Sequence, residues 1–538
     1  MRKSFVIGSV IVSALILAFS IINPSALWCF VVVGPLLIIG YHDLLQKSHT
    51  VRRNFPLIGN FRYLFEAIRP EINQYFVESN TDGVPFSREQ RSLVYQRAKG
   101  MLDTLPFGTQ KDVYQLGYEW LNHSLIPSHV DPKSLRVSIG GPDCKQVYSS
   151  SIMNISAMSY GALSKNAVLA LNGGAKDGNF AHNTGEGGLS PYHLQSGGDI
   201  TWQIGTGYFG CRSPDGKFDS QLFKDKARLP QVKMIEIKLS QGAKPGHGGI
   251  LPAAKVTKEI SEIRGVPMGQ DVMSPPGHTA FRTPIELLQF VCRLRDLSEG
   301  KPVGFKLCLG KRHEFLAVCK AMIETGITPD FITVDGGEGG TGAAPLEFSN
   351  NVGTPLTEGL IFVHNCLVGY NLRHRIKVIA SGKVTSGFDV IKRLALGADV
   401  VNSARAFMLA LGCIQALRCN NNSCPTGVAT QDPSLVSGLW VPSKRKRVHA
   451  FHDHTVESVA EILGSMGIES TRDLRPWHLT RRVGVAEVKS YSELYEYLKP
   501  GALLEPVLPE SYSRDAKMAD AHNFKDLEIL RLLSANGS

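Results

Sequence analysis

Three cysteines in the last third of the chain carry its most specific chemistry. Leu411 to Gln431 reads LGCIQALRCNNNSCPTGVATQ, which spaces Cys413, Cys419 and Cys424 as C-x5-C-x4-C with Pro425 directly behind the last thiol. Soft thiolates hold iron–sulfide units and the proline keeps the final ligand out of a helix, so the run suits an iron–sulfur cluster and hence electron transfer. Zinc is a rival, but it normally takes four ligands with C-x2-C pairs, and no such pair lies nearby. Three buried free thiols are the plain alternative.

A second set of polar residues sits in glycine-rich strings. EIKLSQGAKPGHGGILPAAKV holds Lys238, Gln241 and Lys244, then Gly246, Gly248 and Gly249; NTGEGG holds Glu186, FKLCLG holds Lys306, and DGGEGGTGAAP holds Glu338. Each could be a surface charge near a loop. Together they offer several cations to an anionic substrate and to a reduced flavin, whose anion is stabilised by positive charge near N1. Gly205, Gly207 and Gly210 satisfy G-x-G-x-x-G, but the following CRSPDGKFD opens no helix, so the phosphate-at-helix geometry of a dinucleotide fingerprint is missing.

Such side chains need a frame that brings distant segments together. From about Val137 onward, short apolar runs alternate with longer helical patterns, the signature of repeated strand–helix units and a parallel sheet. The expected strands are Ile152 to Met158, Asn179 to Asn183, Trp202 to Gly205, Met234 to Leu239, Val303 to Leu307, Phe331 to Asp335, Lys377 to Ser381 and Asp399 to Ser403. Eight units predict an α/β fold of the (β/α)8 TIM-barrel type, with its active site at the carboxyl ends of the strands. The seventh strand runs into Ser381, Gly382, Lys383 and Val384, and the eighth into Asn402, Ser403, Ala404 and Arg405. Barrels bind phosphate at these two places, so flavin mononucleotide (FMN) or a phosphorylated substrate would fit; two ordinary turns would also give this pattern.

The 538 residues, 43% hydrophobic and 20% charged, describe a packed protein larger than one ordinary domain. Ten scattered cysteines lack the density of a disulfide framework, which implies a reducing compartment. The net charge of +10 is spread out without aromatic–basic alternation, which argues against nucleic acid, and Lys444 to Arg447 reads as a solvated segment. Phe5 to Asn23 is uncharged and close to the roughly 20 residues a membrane helix needs; a second apolar run spans Leu27 to Tyr41. Arg2 and Lys3 precede the first run and Lys47, Arg52 and Arg53 follow the second, so both ends of a helical hairpin are expected in the cytoplasm. A signal peptide competes with this reading, although no small-residue cleavage site supports it. Gly34 and Pro35 leave a re-entrant second segment open. The expected organisation is a membrane anchor over 1–45, a helical lead-in over 46–134, the barrel with its cysteine segment over 135–435 and a helical extension over 436–538.

ISAMSYGALS, NTGEGG, EIKLSQGAKPGHGG, MSPPGH, DGGEGGTGAAP and GCIQALRCNNNSCPTGVATQ, in that order, resemble the central, FMN-binding synthase domain of glutamate synthase over roughly residues 135–470. The resemblance implies a (β/α)8 barrel with FMN and a [3Fe-4S] cluster on Cys413, Cys419 and Cys424. It places Met158, Ser159, Gln203, Lys306, Gly337, Gly339, Gly382, Lys383, Ser403 and Ala404 around the flavin, and Glu186, Lys238, Gln241, Lys244 and Arg264 near 2-oxoglutarate. The implied reaction is reductive amination: 2-oxoglutarate and ammonia condense, and reduced flavin N5 delivers hydride to the imine carbon. Charged residues fix the two carboxylates, and Glu186, Lys238 and Lys306 are the expected catalytic groups.

The chain also departs from the family pattern. Apolar segments stand where complete glutamate synthases begin with a glutaminase domain, so the ammonia is expected from elsewhere. The GHDGGTGA-like run is here GGEGGTGA, with Gly337 for His and Glu338 for Asp, and the GEGG-like element is GHGG with His247. Electrons are expected from a partner such as ferredoxin or a separate reductase. The alternatives are turnover of another small oxo or amino acid, or a membrane-tethered electron-transfer module; the expected location is the inner membrane, with the catalytic body facing the cytoplasm.

Overall fold

Eight parallel strands close on themselves: β1 (Met153–Ile155), β2 (His182–Asn183), β3 (Ile200–Ile204), β4 (Val232–Lys238), β5 (Val303–Leu307), β6 (Phe331–Asp335), β7 (Lys377–Ser381) and β8 (Val400–Ser403). Each pairs with its sequence neighbours, and β8 returns to β1 through Asn402 opposite Asn154. The computed structural model describes residues 1–525, and the end of the expected carboxyl-terminal extension lies outside them. All eight expected strands are present. Three, β1, β2 and β8, are shorter than their expected runs; in β2 Asn179 takes a left-handed conformation to end the helix Lys165–Gly178, and only His182 and Asn183 pair.

The helices between strands start and stop where the sequence supplies caps. Ser164 caps Lys165–Gly178, Thr283 with Glu286 makes a capping box for Pro284–Leu297, and Ser386 with Asp389 does so for Gly387–Ala395. Their apolar faces cover strands buried on both sides, which is why β5 to β8 read as near-continuous apolar runs. Val441–Ser465 packs on Lys165–Gly178, and within it Arg445 pairs with Asp177 at 2.5 Å. The basic run is therefore partly a helix-to-helix clamp. The flanking regions are not purely helical: Glu119–Leu121, Leu479–Arg482 and Val488–Ser490 form a three-stranded antiparallel sheet.

Residues Met1–Arg88 form a separate compact unit, and the barrel unit begins at Glu89. Within the first unit, Arg2–Ile22 and Pro24–Leu45 are long and apolar enough to cross a membrane. They pack as a hairpin: Ser9 and Tyr41 share a hydrogen bond of 2.7 Å, the Phe5 and Tyr41 rings meet edge to face, and Gly40 lets Phe5 lie against the backbone. Pro35 lies inside the helix Phe30–Leu45 without ending it.

Candidate active site and cysteine loop

The loop after β2 carries Glu186 under the end of β4, where its Oε1 lies 2.8 Å from Nζ of Lys238. Burial alone would raise the Glu186 pKa, but the ammonium of Lys238, with Arg264 and Lys244 beyond it, holds it below the usual carboxylate value. The glycines of the surrounding motifs make this possible. A Cβ on Gly249 would stand 2.2 Å from Glu186 Oε1, and one on Gly205 would stand 2.7 Å from Glu186 Cβ. The G-x-G-x-x-G string thus clears space for a carboxylate and opens no helix before Ser220–Ala227.

Arg264, drawn from an ordinary helix pattern, is brought into the same cluster. It closes the helix Lys258–Arg264, is 4% exposed, and donates to Ser159 Oγ at 3.3 Å and Tyr160 O at 3.0 Å while lying over the Phe209 ring. Desolvation lowers its pKa to about 10, against the pull of Glu186. Lys244 donates to Ala343 O at 2.8 Å, and burial brings it down to about 8. Gln241 reaches Thr341 Oγ1 at 3.5 Å. Lys306 lies 3.4 Å from Asp335 Oδ2, which also accepts the Gly242 N–H.

The sequence reading missed several of these partners. Asp335 ends β6 and faces Lys306. Glu236 on β4 is buried inside the barrel, where it accepts Asn183 Nδ2 and Gln203 Nε2 on one oxygen and Thr333 Oγ1 on the other. The expected flavin neighbour Gln203 is thus tied to the interior. His278, within the MSPPGH motif, bonds Lys238 O at 2.8 Å and Tyr208 Oη at 3.1 Å. Tyr208 Oη already accepts the N–H groups of Thr279 and Ala280, so its proton points at His278 Nδ1 and the ring proton sits on Nε2. Burial keeps that imidazole neutral, with a pKa near 4. DGGEGG displays the Asp335 carboxylate, but nothing local marks Lys306 on β5 as its partner.

At the ends of β7 and β8, Gly382 and Lys383 both take positive φ, Ser403 Oγ donates to Val384 O, and Ala404 leads into the helix Arg405–Leu411. Lys383 and Arg405 are both desolvated there, which lowers their pKa values, and Arg405 donates to Glu338 O. Two desolvated cations beside a glycine turn fit a phosphate. Gly337 and Gly339 hold the neighbouring loop by donating to Thr354 O and Gly336 O. A Cβ on Gly340 would stand 2.6 Å from Arg405 Nε. Met158 and Ser159 follow β1, with Met158 buried.

Cys413, Cys419 and Cys424 lie in one loop whose backbone is wound through left-handed Gln415, Leu417 and Asn422. Their sulfurs are near enough to disturb one another's ionisation. Among the described residues no three His, Cys, Asp or Glu side chains converge on a single ion. A cluster asks less convergence, since each thiolate takes a different iron. The donor set fits one: Gln415 N–H points at Cys413 Sγ at 3.4 Å. Burial alone would raise Cys424, but the Thr426 hydroxyl and the N–H groups of Ala429, Thr426 and Val428 reverse it. Such N–H···S contacts stabilise thiolate ligands.

The conserved region in glutamate synthase matches residues 130–469. The chain is 38% identical over 482 residues to the glutamate synthase large subunit-like protein YerD of Bacillus subtilis (strain 168), covering 82% of this chain and 91% of that protein. It is 36% identical to the archaeal glutamate synthase [NADPH] of Methanocaldococcus jannaschii, covering 67% of each chain. With the archaeal-type glutamate synthase [NADPH] of Thermotoga neapolitana it shares 35% identity over 59% of this chain and 60% of that one. Among solved structures, a mutant flavocytochrome b2 with pyruvate bound superposes with a TM-score of 0.41 at 14% identity, over 84% of this chain and 92% of that one. With its eight-strand barrel and a family region that spans all eight strands, this chain belongs to the glutamate synthase family of oxidoreductases.

Proposed function

We propose that this protein reductively aminates 2-oxoglutarate to L-glutamate with ammonia, using FMN and a [3Fe-4S] cluster. The carrying observation is the charge balance around Glu186. Lys238, Lys244 and Arg264 surround one carboxylate, leaving an excess of two positive charges where a substrate with two carboxylates would lie. Charge-assisted bonds from those cations would fix the oxo carbon in one orientation, and orientation lowers the barrier by pre-paying entropy. Glu186 is ionised in the resting site, so it acts as the proton acceptor for the incoming ammonium, while the Lys238 ammonium holds the carboxylate in place. Neutral His278 holds the Lys238 backbone in place.

Gly382, Lys383, Ser403 and Ala404 would hold the flavin phosphate, with Arg405 adding charge; Met158, Ser159 and Lys306 would face its ring, and the three cysteines would hold the cluster. When bound, FMN would supply the reducing electrons and the cluster would relay them singly from an outside donor, a ferredoxin or reductase subunit. The two apolar helices support an inner-membrane hairpin with the barrel unit on the cytoplasmic side.

Turnover of a different oxo acid is the competing reading, prompted by Gly337 and Glu338. Glu338 accepts the Leu356 N–H at 3.0 Å and lies beside Gly382, so that departure sits at the phosphate end and not among the substrate cations. The test is anaerobic purification with flavin release and EPR, followed by reoxidation of dithionite-reduced protein. Reoxidation by 2-oxoglutarate plus ammonium, with L-glutamate formed, is expected. Reoxidation only by another oxo acid would replace the substrate assignment, and colourless iron-free protein would defeat both cofactors.

A further inference from the structure

Lys255 lies outside every strand end yet is among the most buried side chains in the molecule, at 2% exposure. It ends the short helical turn Ala253–Lys255, in the segment between the GHGG and MSPPGH motifs. A buried lysine is retained only where its ammonium finds full compensation. Here Nζ donates to three backbone carbonyls: Ala162 at 3.2 Å, Cys419 at 2.7 Å and Ala429 at 2.7 Å. Those carbonyls belong to two segments distant in sequence. Ala162 is in the loop after β1, beside the Ser159 and Tyr160 groups that Arg264 contacts; Cys419 is the middle cysteine of the cysteine loop and Ala429 follows its last cysteine. Neutral Asn422 and Gln431 add bonds to the same surface, through Ala254 O and through Gly161 O and Leu163 O. Burial brings the Lys255 pKa down to about 8, so near neutral pH Lys255 combines such bonds with a positive charge felt by Cys419.

Resting on the cluster reading above, we propose that Lys255 is a positioning residue for electron entry: its ammonium ties the cysteine loop to the loop after β1 and sets a fixed positive charge beside Cys419 and Cys424. The first effect holds the relay against the barrel mouth. The second favours the reduced cluster, because adding one electron makes the thiolate-bound group more negative with no bond made or broken. A neutral residue in that place removes the second effect, and one without donors removes both.

The experiment compares the full-length wild type with Lys255→Met, Lys255→Gln and Lys255→Arg, purified anaerobically. Iron and sulfide per chain, an EPR-monitored potentiometric titration with dithionite, and hydrogen exchange of 413–430 in iron-free protein are measured. Lys255→Gln keeps two donors without the charge. It is expected to lower the ratio of reduced to oxidised cluster at least tenfold at fixed potential, a shift of about 59 mV for one electron. Lys255→Met is expected to add faster exchange across the loop, and Lys255→Arg to keep the wild-type potential within threefold. Unchanged potential in both neutral variants overturns the electrostatic role, and unchanged exchange in Lys255→Met overturns the tethering role. Iron-free wild type refutes the cluster reading separately, and the exchange comparison on that material still decides whether Lys255 holds the loop. If Lys255→Met does not fold, Lys255→Gln carries the comparison.

Discussion

Glu186 on the loop after β2 and Lys238 at the end of β4 form a buried ion pair of 2.8 Å, although 52 positions of the chain separate them. Removing one partner of such a pair leaves the other charge uncompensated. Glu186→Gln should therefore abolish glutamate formation, by a factor of at least roughly 100, while flavin content stays normal. It should also tighten the binding of a dicarboxylate, because three cations then face the substrate with no internal anion. Turnover at the wild-type rate would remove Glu186 from the mechanism.

The pH dependence follows from two downward shifts. Glu186 is lowered on folding, so its stabilisation is complete above the ordinary carboxylate value and is lost as pH falls through its own lower value. Lys244 is lowered from 10.5 to about 8, so the folded state carries the cost of a buried ammonium below about pH 8. The unfolded chain binds the extra proton between about 8 and 10.5, and this residue makes stability rise with pH in that window. Catalysis should move the other way. In kcat/KM for 2-oxoglutarate, a limb should descend above about pH 8 and vanish in Lys244→Met, whose value is lower by roughly 10- to 100-fold at neutral pH.

Two glycines separate space from strain. A Cβ on Gly242 would fall 1.6 Å from the backbone oxygen of Gly336, whereas one on Gly249 meets a movable side chain, Glu186. Gly242→Ala should cost about 3 kcal/mol or more in denaturant unfolding, because backbone must shift. Gly249→Ala should cost only about 1 kcal/mol yet depress activity by displacing the carboxylate. Equal losses of stability would show that the Gly249 site cannot yield.

Cys424→Ser should lower iron and sulfide to a small fraction of the wild-type content while the flavin stays bound. Metal analysis and the flavin absorbance of the same sample read the two outcomes independently. Coordinate loss of both would mean that the cysteine loop supports the flavin site structurally.

The hairpin predicts that the full chain stays in the pellet after alkaline carbonate extraction of membranes. A variant lacking residues 1–45 should appear in the supernatant. Full extraction of the intact chain would remove the membrane assignment.

The barrel was legible because parallel strands buried on both faces must be apolar throughout, and Val303–Leu307, Phe331–Asp335 and Lys377–Ser381 coincide with the expected runs. The run Asn179 to Asn183 is longer than the strand it contains, since backbone at a left-handed helix end leaves no mark in hydrophobicity. Glu119–Leu121 was hidden for another reason. It pairs with Leu479–Arg482, and an antiparallel partner several hundred residues away is not a local signal.

By itself the sequence determined which residue types stand at each strand end, because apolar runs, caps and glycine strings act over a few residues. The trio of thiols and the cationic strings belong to this class. Only the tertiary structure decided that Arg264, drawn from an ordinary helix, reaches Ser159 and Glu186. It alone set Asp335 against Lys306, fixed the tautomer of His278, and buried Lys255 beneath the cysteine loop. These relations depend on distance in space. Closure of the barrel sets those distances, and no stretch of adjacent residues records them.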